Sequence, residues 1–180
     1  MKAKILRIDA KYSGQVQNLL KEMAGHEDAL LNRPNGSGWS AIQTMHHLIL
    51  VEENSLAYIK KKMGHNPVLP QIGLGVHYRS FLLWAGLYLP IKFKAPKMIG
   101  NEYLPEYRSM AETRERWLAA RSAWQAYLNE MPDEWADKVV YRHPRAGLLG
   151  WPQMLRFFGQ HFERHRKQIR RAIAAGKRDA

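Results

Sequence analysis

The 180-residue chain contains no cysteine. Disulfides, thiolate zinc sites and cysteine nucleophiles are therefore excluded, and any metal has to be held by histidine, carboxylate or carbonyl groups. Long hydrophobic runs are lacking as well. The most apolar stretch, Phe81 to Phe93, contains Pro90 and falls well short of the ~20 residues a spanning helix needs. The N-terminal segment has neither the apolar core nor the cleavage pattern of a signal peptide. A cytoplasmic protein with no transmembrane segment is expected. Acid is scarce: 16 Asp and Glu stand against 28 Lys and Arg, a net charge of +12. Such a balance favours polyanions or anionic membrane surfaces as partners. The basic residues are scattered, however, with their densest cluster at Arg164 to Arg171, and no recognition motif accompanies them. Specific nucleic-acid binding is not expected.

What is present describes a globular domain. Hydrophobic residues make up 46% of the chain and mean hydropathy is −0.47, and the length suits a single domain over residues 1–180. Apolar residues recur at helical spacing in four segments. The first runs from about Ala10 to Asn32, marked by Val16, Leu19, Leu20 and Met23, and stops at Arg33-Pro-Asn-Gly-Ser-Gly38. The second opens at Ser40 and Gln43, spaced as a capping box, and runs to about Met63, with Trp39 placed for a hydrophobic staple. The third spans about Met110 to Asn129, and the fourth Trp151 to Ile173. Between the second and third, five prolines from Pro67 to Pro105 break the chain. A short apolar helix near Tyr78 to Leu89 could suit a membrane surface, but a crossover packed on the bundle, or a dimer contact, is the preferred reading. Residues Trp135 to Leu149 read as loop, with an extended piece at Lys138 to Tyr141. An all-α four-helix bundle with negligible sheet and a long crossover between helices two and three is the expected fold.

The fourth segment carries the chemistry. His161 and His165 stand i and i+4, on one helix face with Cβ atoms roughly 5–6 Å apart, so two imidazoles can chelate one divalent ion. Met154, Phe158, Phe162 and Ile169 put an apolar stripe on that side, and Gln168 joins it. The alternative is a pair of core histidines bonded to other groups, since an unpartnered buried imidazole is costly. A zincin is excluded, because the segment reads HFERH rather than H-E-x-x-H and Glu163 is misplaced for a general base. A third histidine would come from helix two, where His46 and His47 lie about 100° apart and periodicity does not choose between them. Glu52 and Glu53 on that helix could supply a base.

Trp39-Ser40-x-x-Gln43-x-x-x-His47-Leu48, followed by His161-x-x-x-His165-x-x-Gln168-Ile169, resembles the DinB-like superfamily. The His143-Pro144 loop with Gly147, and the entry at Trp151, are similar to that family too. The resemblance covers nearly the whole chain and implies a four-helix bundle with a divalent ion, zinc, nickel or iron, on three histidines. Carried over, the ligands are His47, His161 and His165, the histidine preceding Leu48 being the one that matches. Gln43 and Gln168 become the groups that orient those ligands by hydrogen bonds. The resemblance further implies a metal-dependent hydrolase, or an S-transferase using a low-molecular-weight thiol, acting on a small molecule; a homodimer is expected only from the dimer-contact reading of the crossover. The sequence names no catalytic residue beyond the ligands. Two other functions compete: a non-enzymatic basic bundle that binds nucleic acid or an anionic surface, and a stress-related binding protein that has lost the chemistry.

Overall fold

The computed structural model describes residues 1–89 and 101–178; the part of the crossover between them lies outside the described residues. Four long helices dominate: α1 (Lys2–Met23), α3 (Ala41–Met63), α5 (Met110–Glu130) and α6 (Trp151–Arg178). Two shorter ones interrupt the connections, α2 (Asp28–Asn32) and α4 (Leu74–Tyr88). Among the described residues the only sheet is a hairpin of β1 (Val139–His143) and β2 (Gly147–Gly150). The fold is mostly helical, an all-α bundle in which α1 and α3 each pack on both α5 and α6.

Local chemistry sets the helix boundaries. Ser40 Oγ accepts from Gln43 N, and Gln43 Oε1 accepts from Ser40 N, each at 3.1 Å, so the capping box opens α3 as its spacing predicts. Ser109 and Glu112 open α5 in the same way, a signal the sequence reading passed over. The first helix differs from expectation. It begins at Lys2, because the buried stripe Ile5, Asp9, Tyr12 and Val16 already has helical spacing once Asp9 is allowed inside. It ends at Met23, and α2 is a separate turn after Gly25. The loop before α6 is also more ordered than expected. His143 pairs with Gly147 across the hairpin, Gly147 takes the positive φ (75°) that closes it, and His143 Nδ1 accepts from Arg145 N and Ala146 N.

The bundle centre combines aromatic packing with a closed charge network. Trp117, Trp124, Phe158 and Phe162 are fully buried, and each such side chain stabilises the fold by about 1.5–3 kcal/mol. Among them, Arg121 Nη1 donates to Glu52 Oε2 at 2.7 Å, while Nη2 reaches Asp9 Oδ1 and Ser13 Oγ. Glu52 Oε1 accepts from Tyr12 Oη at 2.6 Å and from Trp117 Nε1 at 2.8 Å. Burial disfavours the Arg121 cation, yet Glu52 and Asp9 outweigh it and hold its pKa above the ordinary value. Glu52 is thus tied into the core, and Glu53 pairs bidentately with Arg116. Neither carboxylate is the spare base the sequence suggested.

Candidate metal centre

The pair on α6 and one histidine of α3 meet where those helices pack. His47, His161 and His165 each offer one ring nitrogen, and these atoms all lie within 4.8 Å of one another. Their ring centroids are 4.4 to 5.3 Å apart. The roughly 100° between His46 and His47 equals the step from one helical neighbour to another. His47 faces α6, whereas His46 faces α5, its Nε2 3.2 Å from Thr113 Oγ1 and its Nδ1 3.2 Å from Arg116 Nη1. Arg116 can only donate, so His46 Nδ1 accepts and Nε2 carries the proton. Burial, then the Arg116 charge, lowers the His46 pKa to about 4. It is a satisfied core histidine.

The α6 pair has no such set of partners. His165 Nδ1 lies 3.0 Å from Gln168 Oε1, an acceptor, which leaves Nε2 as the lone-pair nitrogen. His165 Nε2 in turn lies 3.0 Å from His161 Nε2. Two lone pairs repel at that distance, so either a proton or a cation must lie between them. Two imidazoles held ~2.0–2.1 Å from a tetrahedral zinc would have nitrogens about 3.4 Å apart, so the observed spacing is close to that of co-ligands. Both rings keep partial solvent exposure, although protein packs around them closely. Burial is the main reason their pKa values fall, that of His165 to about 3 and that of His161 well below its ordinary value; neighbouring histidines push in the same direction. Neutral imidazole is the ligand form. Three imidazole nitrogens with no carboxylate in the group fit a borderline ion such as zinc, nickel or iron better than calcium or magnesium.

Aromatic rings wall the cluster. Trp39 lies 4.9 Å from His47 and stacks near His165 at 6.5 Å. The residue read as a staple packs instead against the histidines. Phe157 stacks on His161 at 5.2 Å, and its other side meets His143 edge-on at 4.5 Å. His143, read as a loop residue, is a buried member of β1 whose pKa burial lowers to about 4. Its place beside Phe157 was hidden in the sequence because a hairpin, not periodicity, brings it there. Gln168 lies 3.0 Å from His165, whereas Gln43 Oε1 serves the cap and its Nε2 donates to Pro105 O at 3.3 Å. The basic cluster of α6 is partly neutralised, since Arg166 pairs with Glu163 and Arg170 bidentately with Glu22.

The sequence profile of the DinB superfamily matches residues 12–169, a span that contains all three histidines. The chain belongs to that superfamily. No curated protein and no solved structure matches it.

Proposed function

We propose that this DinB-superfamily chain is a metal-dependent enzyme that acts on a small molecule, as a hydrolase or as an S-transferase using a low-molecular-weight thiol. One observation supports it above others: three histidines from two helices bring ligand atoms within 4.8 Å of one another with no acid among them. An ion on three imidazoles has room for a further ligand and, as a Lewis acid, lowers the pKa of a water or thiol that it holds. The chain's own residues do the rest. Gln168 fixes the His165 tautomer so that Nε2 faces inward. Trp39 and Phe157 hold the rings in place and keep the surroundings apolar, which strengthens electrostatic interactions there. Neither the homodimer nor the cytoplasmic location expected from the sequence enters this reading.

The test is elemental analysis of the full chain purified without added metal, followed by titration with zinc, nickel and ferrous iron. A divalent ion near one per chain, lost in a His161→Ala variant, is the expected result. A chain that carries none and binds none of the three is no metal enzyme. Turnover of electrophilic esters and alkyl halides with and without glutathione then separates hydrolysis from thiol transfer.

A further inference from the structure

Helix α4 is apolar on two opposite sides. Val76 is buried and Leu83 and Leu87 are partly buried, facing α6 and β2. On the other side Leu74 is 89% exposed, Tyr78 64%, Phe81 58% and Leu82 49%. A helix that is apolar all round is normally covered all round, and contiguous exposed apolar patches mark interaction sites. This outer face is covered by nothing among the described residues. The helix is nevertheless held firmly as a unit: Arg164 Nη1 donates to the carbonyls of Leu87 and Leu89, and Arg79 Nε to that of Leu148.

Charge identifies the partner. No acidic residue occurs between Gly64 and Asn101, or between Lys138 and Phe162, so α4, the hairpin and the first turns of α6 that pack against it contribute only cations. Arg142 and Arg145 are exposed on the hairpin, and Leu148, the cross-strand partner of Arg142, is 39% exposed. Two copies joined through such a face would set like charges together. An aliphatic and aromatic face offers nothing to base edges or phosphates of a nucleic acid. A row of exposed Leu, Tyr and Phe on a helix whose neighbouring hairpin carries exposed arginines matches the boundary between headgroups and acyl chains of an anionic membrane. At 15 residues, α4 is about 22 Å long, short of the ~30 Å hydrocarbon core, so it lies on a membrane rather than crossing one. We infer that the outer face of α4 docks the protein on anionic lipid surfaces, with the His161 and His165 pair carried on the adjoining helix α6. This holds whether or not the metal-enzyme reading does.

Co-sedimentation of the full chain with vesicles tests it. With vesicles of phosphatidylcholine containing about a third phosphatidylglycerol, most of the protein should sediment; pure phosphatidylcholine should bind at least tenfold more weakly. Replacing Phe81 and Leu82 together by serine should lower partition at least tenfold, with the circular dichroism spectrum and metal content unchanged. Leu74→Ser gives the same reading should the double variant fold poorly. No sedimentation, or sedimentation that both variants leave intact, would overturn the inference, the second outcome meaning bare electrostatics. A concentration-dependent dimer that the serine variants dissociate, without vesicle binding, would overturn it in favour of a second copy.

Discussion

At the centre of the bundle Arg121 meets Asp9, Glu52 and Ser13, whereas between α3 and α6 His47, His161 and His165 bring ring nitrogens within 4.8 Å of one another. Both clusters are polar groups taken largely out of water. In the first, Glu52 and Asp9 outweigh the desolvation of the Arg121 cation, although burial still holds the Asp9 pKa above its ordinary value. In the second, the members are alike, three imidazoles grouped, among the described residues, with no acid, and burial favours the neutral form of His161 and His165. The first cluster pairs a cation with anions; the second gathers imidazoles with no counter-charge in the group. That difference, more than burial or the presence of histidine, separates the site from the scaffold.

The comparison predicts opposite responses to deletion. Arg121→Ala leaves Asp9 and Glu52 buried without their cation, and should destabilise the fold by about 3–5 kcal/mol in urea denaturation. His161→Ala should change metal-free stability by less than about 1 kcal/mol, since no charge is orphaned, yet weaken zinc binding by orders of magnitude in calorimetry. If the two variants lose equal stability and both still bind zinc, the clusters do not differ in kind.

Acid sharpens the same contrast. His46 and His143 have folded-state pKa values lowered to about 4, against roughly 6.5 in the unfolded chain. Below pH 6.5 the unfolded state binds more protons, so their neutral burial costs stability progressively as pH falls from about 6.5 towards 4. Denaturation of the metal-free protein between pH 7 and 4 should show that loss, and His46→Gln should flatten it. Metal binding should fail over the same range, because imidazole ligands are competed for by protons.

A smaller effect tests the link between Gln168 and His165. Gln168→Ala should lower metal affinity about 10–100-fold, the usual cost of losing a group that orients a ligand. Gln43→Ala should leave affinity nearly unchanged and instead destabilise α3 by about 1 kcal/mol through the cap. Equal affinity losses in the two variants would remove the distinction between orienting group and cap.

Much of this was legible in the chain because it is local. The i, i+4 histidines on an apolar stripe, the Ser40–Gln43 box and the four periodic segments depend on residues within a turn or two of one another, and helix geometry alone brings them together. The first helix was misplaced where a buried Asp9 and Tyr12 broke the apolar pattern; they are inside only because Arg121 and Glu52, more than 100 and about 40 residues away, receive them. His143 and Trp39 were misread for the same reason, one brought to Phe157 by a hairpin and the other to His165 by the packing of α3 on α6.

By itself, then, the sequence determined that four helical segments form and that one of them presents two histidines on one face, since both follow from short-range backbone geometry. Which neighbour each histidine of α3 faces was beyond it, because 100° of rotation decides between α5 and α6 and only long-range packing sets that angle. The same packing decided that Glu52 is a core counter-ion rather than a base, and that no described residue covers one face of α4.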